Sequence, residues 1–498
     1  MTVLEQPIAF TRPPQRSTSR PELLPLRDGE QYRFTFAMEA CVGCHSCEVA
    51  CAEQNDTPVE AGWRRVGELE GGSFPDTRRF SLSMACNHCV EPTCLSGCPT
   101  SAYEKLGNGV VVHHADDCIG CQYCIWNCPY EVPVFNPVRK IVSKCDLCRP
   151  RLEAGQSPAC VLACPTRAIG VEPVDVAAWR ADHAAADAPG LPPADITLST
   201  TRVVVPEDMP VGLTAANERP VQPEHPHWPL IVLTLLTQLS LGTVAATVLL
   251  QAVGARGLEG AAVGAFLAGF AALGASLFHL GRPTRAFKAL RNLRTSWLSR
   301  EVAWFGVFSV LSFAYAASGP ALALGLAAAA AGIAGVHASA RLYLVPARPV
   351  WNSGRTPAAF FATAAATGPL LALLCLDRGR LAPAWAWALL GLAGAGSVAQ
   401  VAVQAFLLRA VRRRHDRQHR GTAELLAGRF ETLFHARLAA AAAGLALLVF
   451  TAMAPLGGAA SGGRLATATV VIALGELAGR YLFYVTVVPY RVAGSFFR

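Results

Sequence analysis

Hydrophobic and polar positions are spread so unevenly along this chain that its two parts suit different solvents. From Trp228 onward, apolar residues fill helix-length stretches, separated by short loops that hold many of the arginines. About 20 apolar residues in a helix span the hydrocarbon core of a bilayer. The pattern predicts eight such spans, at 228–250, 260–280, 301–318, 321–345, 358–376, 385–408, 438–455 and 465–488. Several are rich in Ala and Gly, the small residues that let helices pack closely in lipid. Before Trp228 the pattern changes. Short stretches such as YRFTF (Tyr32–Phe36) and GVVVHH (Gly109–His114) predict strands. Residues 171–227, with AAADAPGLPPAD and VQPEHPHWP, have the Ala, Pro and Asp content of a tether, partly ordered or disordered.

Composition sharpens this division. Of 17 cysteines, all but Cys375 lie before residue 228. The net charge of +8 would suit a nucleic-acid binder if it formed a patch, but most of the excess lies in loops between apolar spans. There it orients helices, since arginine and lysine accumulate on the cytoplasmic side. With eight spans, both ends of the membrane segment share a side with the cysteine-rich part. The loops and tail on that side hold eighteen Arg and Lys, against four at Arg256, Arg378, Arg380 and Arg464 on the other. The cysteine domain is therefore expected in the cytoplasm, and no nucleic-acid partner is expected. Residues 1–30 show neither a signal-peptide core nor a twin-arginine leader and are expected to form a flexible arm. In a reducing compartment such cysteines hold metal and do not form disulfides.

The sixteen cysteines repeat in quartets. They are Cys41, Cys44, Cys47 and Cys51; Cys86, Cys89, Cys94 and Cys98; Cys118, Cys121, Cys124 and Cys128; and Cys145, Cys148, Cys160 and Cys164. The first and third follow C-x2-C-x2-C-x3-C, the spacing by which three thiolates wrap one [4Fe–4S] cubane while the fourth reaches a neighbouring cluster. Zinc sites instead pair two separated C-x2-C knuckles. Exchange of the fourth ligand implies that quartets work in pairs. By spacing alone, either neighbouring quartets pair, or the first pairs with the fourth and the second with the third. Four clusters within residues 41–164 leave little conventional core, so metal binding organises the fold.

On these motifs residues 31–170 resemble the iron–sulfur subunit of the molybdopterin oxidoreductases of the dimethyl sulfoxide reductase type. The resemblance implies four ligand sets: Cys41, Cys44, Cys47 with Cys164; Cys145, Cys148, Cys160 with Cys51; Cys86, Cys89, Cys94 with Cys128; and Cys118, Cys121, Cys124 with Cys98. Some members put tryptophan in the third quartet and carry a three-iron cluster. This chain keeps Cys124, with Trp126 two places later, so four cubanes are expected.

The loop FHLGRPTRAFKALRNLRTSWLSREVAWF, Phe278 to Phe305, brings His279, Arg282, Arg285, Arg300 and Glu301 to the lipid boundary. Ionisable groups at such depth are costly and often functional, and a quinone needs donors to its carbonyls and groups that exchange two protons. Arginines that merely anchor helices at headgroups are the plain alternative. Residues 228–498, with the HPH that precedes them in HPHWPLIVLTLLTQ, resemble the eight-helix membrane anchor of the same family, as do RLYLVPARPVW and GELAGRYLFYVTVVP. The HLG-x-P-x-RAF stretch matches the quinol site of that family. Carried over by position, His279, Arg285 and Glu301 are the implied quinone-binding residues. Glu476 and Arg480, four apart on one helical face, are expected to form a buried ion pair. Only His337 lies well inside a span, so paired haem ligands are not expected. Cys375 is expected to be an inert buried thiol.

The expected fold is thus an α+β ferredoxin-like four-cluster domain fused to an all-α transmembrane bundle of eight helices. Its divisions are an arm at 1–30, the cluster domain at 31–170, a linker at 171–227 and the anchor at 228–498. The expected function is that of an electron-transfer and membrane-anchor subunit, passing electrons between a separate molybdopterin-containing catalytic subunit and the membrane quinone pool. Cytoplasmic placement favours sulfite oxidation, as in membrane-bound sulfite dehydrogenases. Reduction of an S- or N-oxide and a non-catalytic polyferredoxin anchor are the alternatives.

Overall fold

A computed structural model describes residues 23–209, 212–216, 221–376, 381–414, 416–453 and 459–492. Most of the arm expected at 1–30 lies outside them. Leu23 and Leu26, its last apolar residues, pack on the core of the cluster domain.

The cluster domain is held by short sheets. Strand β1 (Glu30–Ala37) contains the expected YRFTF and is the central strand of a three-stranded sheet. The hairpin β2 (Arg65–Ser73) and β3 (Asp76–Met84) projects between the first two quartets. Two smaller hairpins follow the second and third quartets: β4 (Tyr103–Lys105) with β5 (Val111–His113), and β6 (Val134–Asn136) with β7 (Ile141–Ser143). The quartets themselves start short helices, α1 (Ser46–Asn55), α2 (Thr93–Gly97), α3 (Tyr123–Asn127), α4 (Arg149–Glu153) and α5 (Ala159–Leu162).

The segment expected as a tether is instead built into this domain. Strand β8 (Ile169–Asp175) pairs antiparallel with β1 from Glu30↔Asp175 to Phe36↔Ile169. Strand β9 (Arg202–Val204) adds in parallel on the other edge of β1, and β10 (Thr214–Ala215) extends the hairpin at β2. Between them, helix α6 (Val176–Asp182) buries Trp179, whose indole donates to Ser199 O at 2.8 Å and stacks under the Arg33 guanidinium at 4.5 Å. One aromatic anchor and two open edges of a central strand order a stretch whose average composition reads as disordered.

The membrane part contains α7 (Trp228–Ala252), α8 (Glu259–Leu277), α9 (Trp297–Ala317), α10 (Leu322–Leu342), α11 (Arg355–Cys375), α12 (Pro383–Arg413), the short α13 (Arg417–Ala427), α14 (Glu431–Ala452) and α15 (Ala459–Val485). Among the described residues seven of these are long and apolar enough to cross a bilayer. The expected count was eight; α9 falls short because its first turns hold Arg300 and Glu301 beside serines and tryptophans. Small residues set the helix contacts. A Cβ on Gly242 of α7 would collide with Ala364 O of α11, so these backbones touch. Cys375, at the end of α11, is partly buried against Gly264 of α8.

Candidate redox chain and membrane cavity

Each quartet is folded by the same local device. The residue two places after its first cysteine is left-handed in all four: Gly43 at φ 65°, His88 at 43°, Gly120 at 69° and Leu147 at 60°. This turn aims a backbone N–H back at sulfur, with Cys86, Cys118 and Cys145 Sγ accepting from the residue two ahead at 3.4–3.5 Å. The last cysteine is followed by proline in three quartets, and the third residue beyond it (Ser101, Glu131, Arg167) is again left-handed. That second turn lets Cys98 and Cys164 Sγ accept from Ala102 and Ala168 N at 3.3 and 3.2 Å. Backbone N–H groups directed at sulfur stabilise thiolate ligands and tune the cluster they hold.

The thiols assemble across quartets. Cys41 has Cys164 as an electrostatic neighbour, and Cys51 has Cys160 and Cys148. Cys98 neighbours Cys118, Cys121 and Cys124. A small cavity is walled by Cys86, Cys89, Cys94 and Cys128 together. Among the described residues no three Cys, His, Asp or Glu converge as the ligands of one ion would. Cubane corners hold thiolates further apart than a single zinc does, so this donor set fits iron–sulfur clusters.

Two buried cations lie between the thiol groups, and sequence reasoning passed over both. Arg64, 4% exposed, has Cys47, Cys51, Cys145 and Cys160 around it, and its Nη1 donates to Ser83 Oγ at 3.1 Å. Lys144, 3% exposed, neighbours Cys94 and Cys145, donating to the carbonyls of Val111 and, at 2.7 Å, of Cys145. Buried cations need negative partners, and these cysteines, as thiolate ligands of a bound cluster, would provide them. The signal existed only as one basic residue after Trp63 and another beside Cys145.

The third quartet faces the membrane helices. His279 is hydrogen-bonded to Cys121 O at 3.2 Å, and the N–H groups of Gly281 and Arg282 donate to Gly120 O and Ile119 O at 3.3 and 3.0 Å. Asn292 Nδ2 donates to Cys98 O at 2.8 Å, and Ser299 Oγ to Pro99 O at 3.1 Å. Lys288 and Arg291 reach Asp117 Oδ1 at 2.9 and 2.6 Å, and their bonds hold its carboxyl below the usual range. Tyr123 donates to Leu342 O at 2.9 Å from the other side. Trp126 enters an aromatic box of His227, Trp351, Tyr343, Tyr484 and His279, with ring centroids 5.1–6.5 Å away. Tyr343 and Tyr484 share a hydroxyl–hydroxyl bond. Desolvation beside His279 pushes His227 down to about 3, so its imidazole is neutral.

A cavity of about 470 Å³ opens at this seam. The cluster domain contributes Ile119, Cys121, Tyr123 and Trp126; the helices contribute Leu230, Phe270, Leu298, Phe305 and Tyr343 among others. His279 and Glu301, both expected from the sequence, line it together, and Glu301 is 5% exposed. Arg285, the third expected residue, does not line it: its Nη1 donates to Asp116 O at 2.6 Å, on the docking face. The loop after Arg282 coils as a tight helix at Pro283–Leu290, which turns Arg285 toward the cluster domain. Glu476 and Arg480 are buried on α15 as expected, but they bond through intermediaries. Glu476 Oε2 accepts from Thr363 and Gln400 at 2.6 and 2.9 Å, while Arg480 Nη2 donates to Gln238 Oε1 at 2.8 Å.

Comparison with known proteins gives two family matches: a 4Fe-4S dicluster domain over residues 78–173, and the DMSO reductase anchor subunit (DmsC) over residues 222–485. An anaerobic dimethyl sulfoxide reductase chain of Haemophilus influenzae is 40% identical over 177 residues, 34% of this chain and 86% of that protein. Its counterpart in Escherichia coli (strain K12) is 38% identical over 175 residues, 34% of this chain and 85% of that protein. A sulfite dehydrogenase subunit of Allochromatium vinosum is 37% identical over 160 residues, 28% of this chain and 67% of that protein.

Proposed function

The chain belongs to the DMSO reductase anchor subunit (DmsC) family, joined here to an iron–sulfur domain, and from that premise we propose that it links a separate catalytic subunit to the membrane quinone pool. It is a multi-pass membrane subunit of an oxidoreductase complex. Cys41, Cys44, Cys47 and Cys164 would hold one [4Fe–4S] cluster, and Cys51, Cys145, Cys148 and Cys160 a second. Cys86, Cys89, Cys94 and Cys128 would hold a third, and Cys98, Cys118, Cys121 and Cys124 the fourth. When bound, such clusters supply one-electron relay. The partner is a molybdopterin-containing catalytic subunit, and it docks at the first quartet, where Cys44 is exposed.

The observation that carries the quinone reading is the apolar cavity, which has Cys121 in one wall and His279 and Glu301 in others. Its flat aromatic and aliphatic lining suits a quinone ring. His279 positions one carbonyl, with its ring fixed by Cys121 O. Glu301, desolvated among apolar neighbours, takes or gives a proton as the quinone gains or loses its two electrons. Arg285 belongs to docking, through its bond to Asp116 O.

Sulfite oxidation with quinone as acceptor is the favoured overall reaction, on the arginine distribution that puts the cluster domain on the cytoplasmic side of the inner membrane. An S- or N-oxide reductase subunit is the second reading, favoured by the higher identity to the dimethyl sulfoxide reductase relative over more of its length. The test is the native complex purified in mild detergent. A large molybdenum-containing partner, together with quinol-dependent reduction of the clusters, supports the proposal. Glu301→Gln should abolish that reduction while dithionite still reduces four clusters. Unimpaired transfer to quinone in Glu301→Gln, or iron without molybdenum in the complex, would leave the non-catalytic polyferredoxin anchor as the better reading.

A further inference from the structure

A second cavity lies in the other half of the bundle, between α11, α12, α14 and α15. It measures about 70 Å³ and runs from Arg355, at the start of α11, inward to Thr363. Eight residues of helix make that depth about 12 Å. Its mouth is on the side of the cluster domain, where α10 ends and Leu342 O receives Tyr123.

The charges around this cavity do not balance. Arg355, Arg437 and Arg480 line it, facing one carboxylate, Glu476. Arg437 is 8% exposed, and among the described residues its side chain makes one hydrogen bond, a 3.3 Å contact to Gln400 Oε1. Among the described residues no carboxylate lies within ion-pair distance of it. Gly479 makes room for this side chain, since a Cβ there would collide with the guanidinium group. Arg480 is 5% exposed; its Nη2 is held by Gln238, and its guanidinium stacks 4.1 Å over Phe360. Among the described residues Arg355 donates to Ser353 Oγ and to the Phe406 carbonyl, at 3.1 and 3.2 Å. Guanidinium groups stay charged at any physiological pH, and a buried charge without a counterion is strongly unfavourable. The missing partner is an anion with several acceptor oxygens, the geometry that guanidinium forks match.

We infer that this cavity binds a phosphate group, the headgroup phosphate of an anionic phospholipid in the leaflet beside the cluster domain. Arg355 guides it at the rim, Arg437 and Arg480 hold it, and the acyl chains follow the apolar side of Val403 and Leu407. The site is separate from the quinone cavity and does not rest on that reading.

The delipidated, detergent-purified complex is titrated with dihexanoyl phosphatidylglycerol, dihexanoyl phosphatidylcholine or inorganic phosphate, and thermal unfolding is followed. Phosphatidylglycerol should raise the midpoint saturably, and phosphatidylcholine should not. Arg437→Gln should weaken the apparent affinity at least about tenfold, and Arg355→Gln, at the partly exposed rim where misfolding is not a concern, should weaken it less. If inorganic phosphate matches the anionic lipid at equal concentration, the oxyanion site stands and its ligand is the free ion. Equal shifts with both lipids, no shift with either phosphate source, or undiminished shifts in both variants would overturn the inference.

Discussion

Gly120 sits where the third quartet touches the membrane helices, and replacing it by alanine separates two reasons for a glycine. The position is left-handed, at φ 69°. Yet His88 and Leu147 occupy the equivalent place in the second and fourth quartets, so the turn itself tolerates a side chain. Entering the left-handed region costs a non-glycine residue about 1–2 kcal/mol. The larger effect is contact. A Cβ on Gly120 would lie 2.5 Å from Lys140 O and 2.9 Å from Gly281 Cα, both backbone atoms. Reaching an ordinary contact of 3.4 Å requires Lys140 O to shift by roughly 0.9 Å and the seam at Gly281 to open by roughly 0.5 Å. That strains the Gly281 and Arg282 N–H bonds to the quartet, worth about 1 kcal/mol each, so Gly120→Ala should cost about 3–5 kcal/mol locally. Gly43→Ala is the internal control. Its Cβ meets only Ser81 Oγ, at 2.7 Å, and that hydroxyl can rotate away, so the cost should stay near about 1 kcal/mol. In stopped-flow reduction by a quinol analogue, Gly120→Ala should slow cluster reduction on the order of 100-fold, with dithionite-reducible iron unchanged. Gly43→Ala should retain the wild-type rate. Equal rates in the two variants would refute the seam as the electronic junction.

Three further outcomes follow from buried groups. Arg64→Met removes a fixed charge beside Cys47, Cys51, Cys145 and Cys160; redox titration by electron paramagnetic resonance should show two midpoint potentials fall and two unmoved, whereas a uniform shift would contradict its placement. His227 is neutral in the folded protein, with its pKa pushed down to about 3, while the unfolded chain titrates near 6.5. The unfolded state therefore binds the extra proton between these values, and stability should fall as pH drops below about 6.5, by up to about 1.4 kcal/mol per pH unit. The slope should shrink in His227→Phe, measured by chemical denaturation between pH 7 and pH 5. Trp179→Ala empties the core beneath residues 171–209 and should destabilise the cluster domain by about 3–5 kcal/mol in thermal melts; a loss under about 1 kcal/mol would mean this segment is an appendage.

Much of this molecule is legible in the linear chain. Cysteine spacing is a local property, because one loop of C-x2-C-x2-C must curl around its ligand whatever surrounds it. Apolar runs likewise declare their solvent residue by residue, so the redox domain and the membrane domain can be read in order, while His279 and Glu301, which the fold brings to one cavity, are expected only from the resemblance. The same locality explains the misses. Arg285 lies in the motif with His279, but the tight coil at Pro283–Leu290 sends it to Asp116 O and away from the cavity. Residues 171–209 look featureless on average, and the open edges of β1 together with the slot for Trp179 order them. Arg64 acquires meaning from thiols more than 10 residues away in sequence, Lys144 from Cys94 as well as the adjacent Cys145, and Trp126 from five rings on four separate segments. Ligand type and hydropathy belong to the residue, so the order of residues is enough to say which chemistry each stretch can support. Which groups share a low-dielectric space is settled only by folding, because the energies of buried charge, packed rings and an apolar cavity depend on neighbours brought from distant parts of the chain.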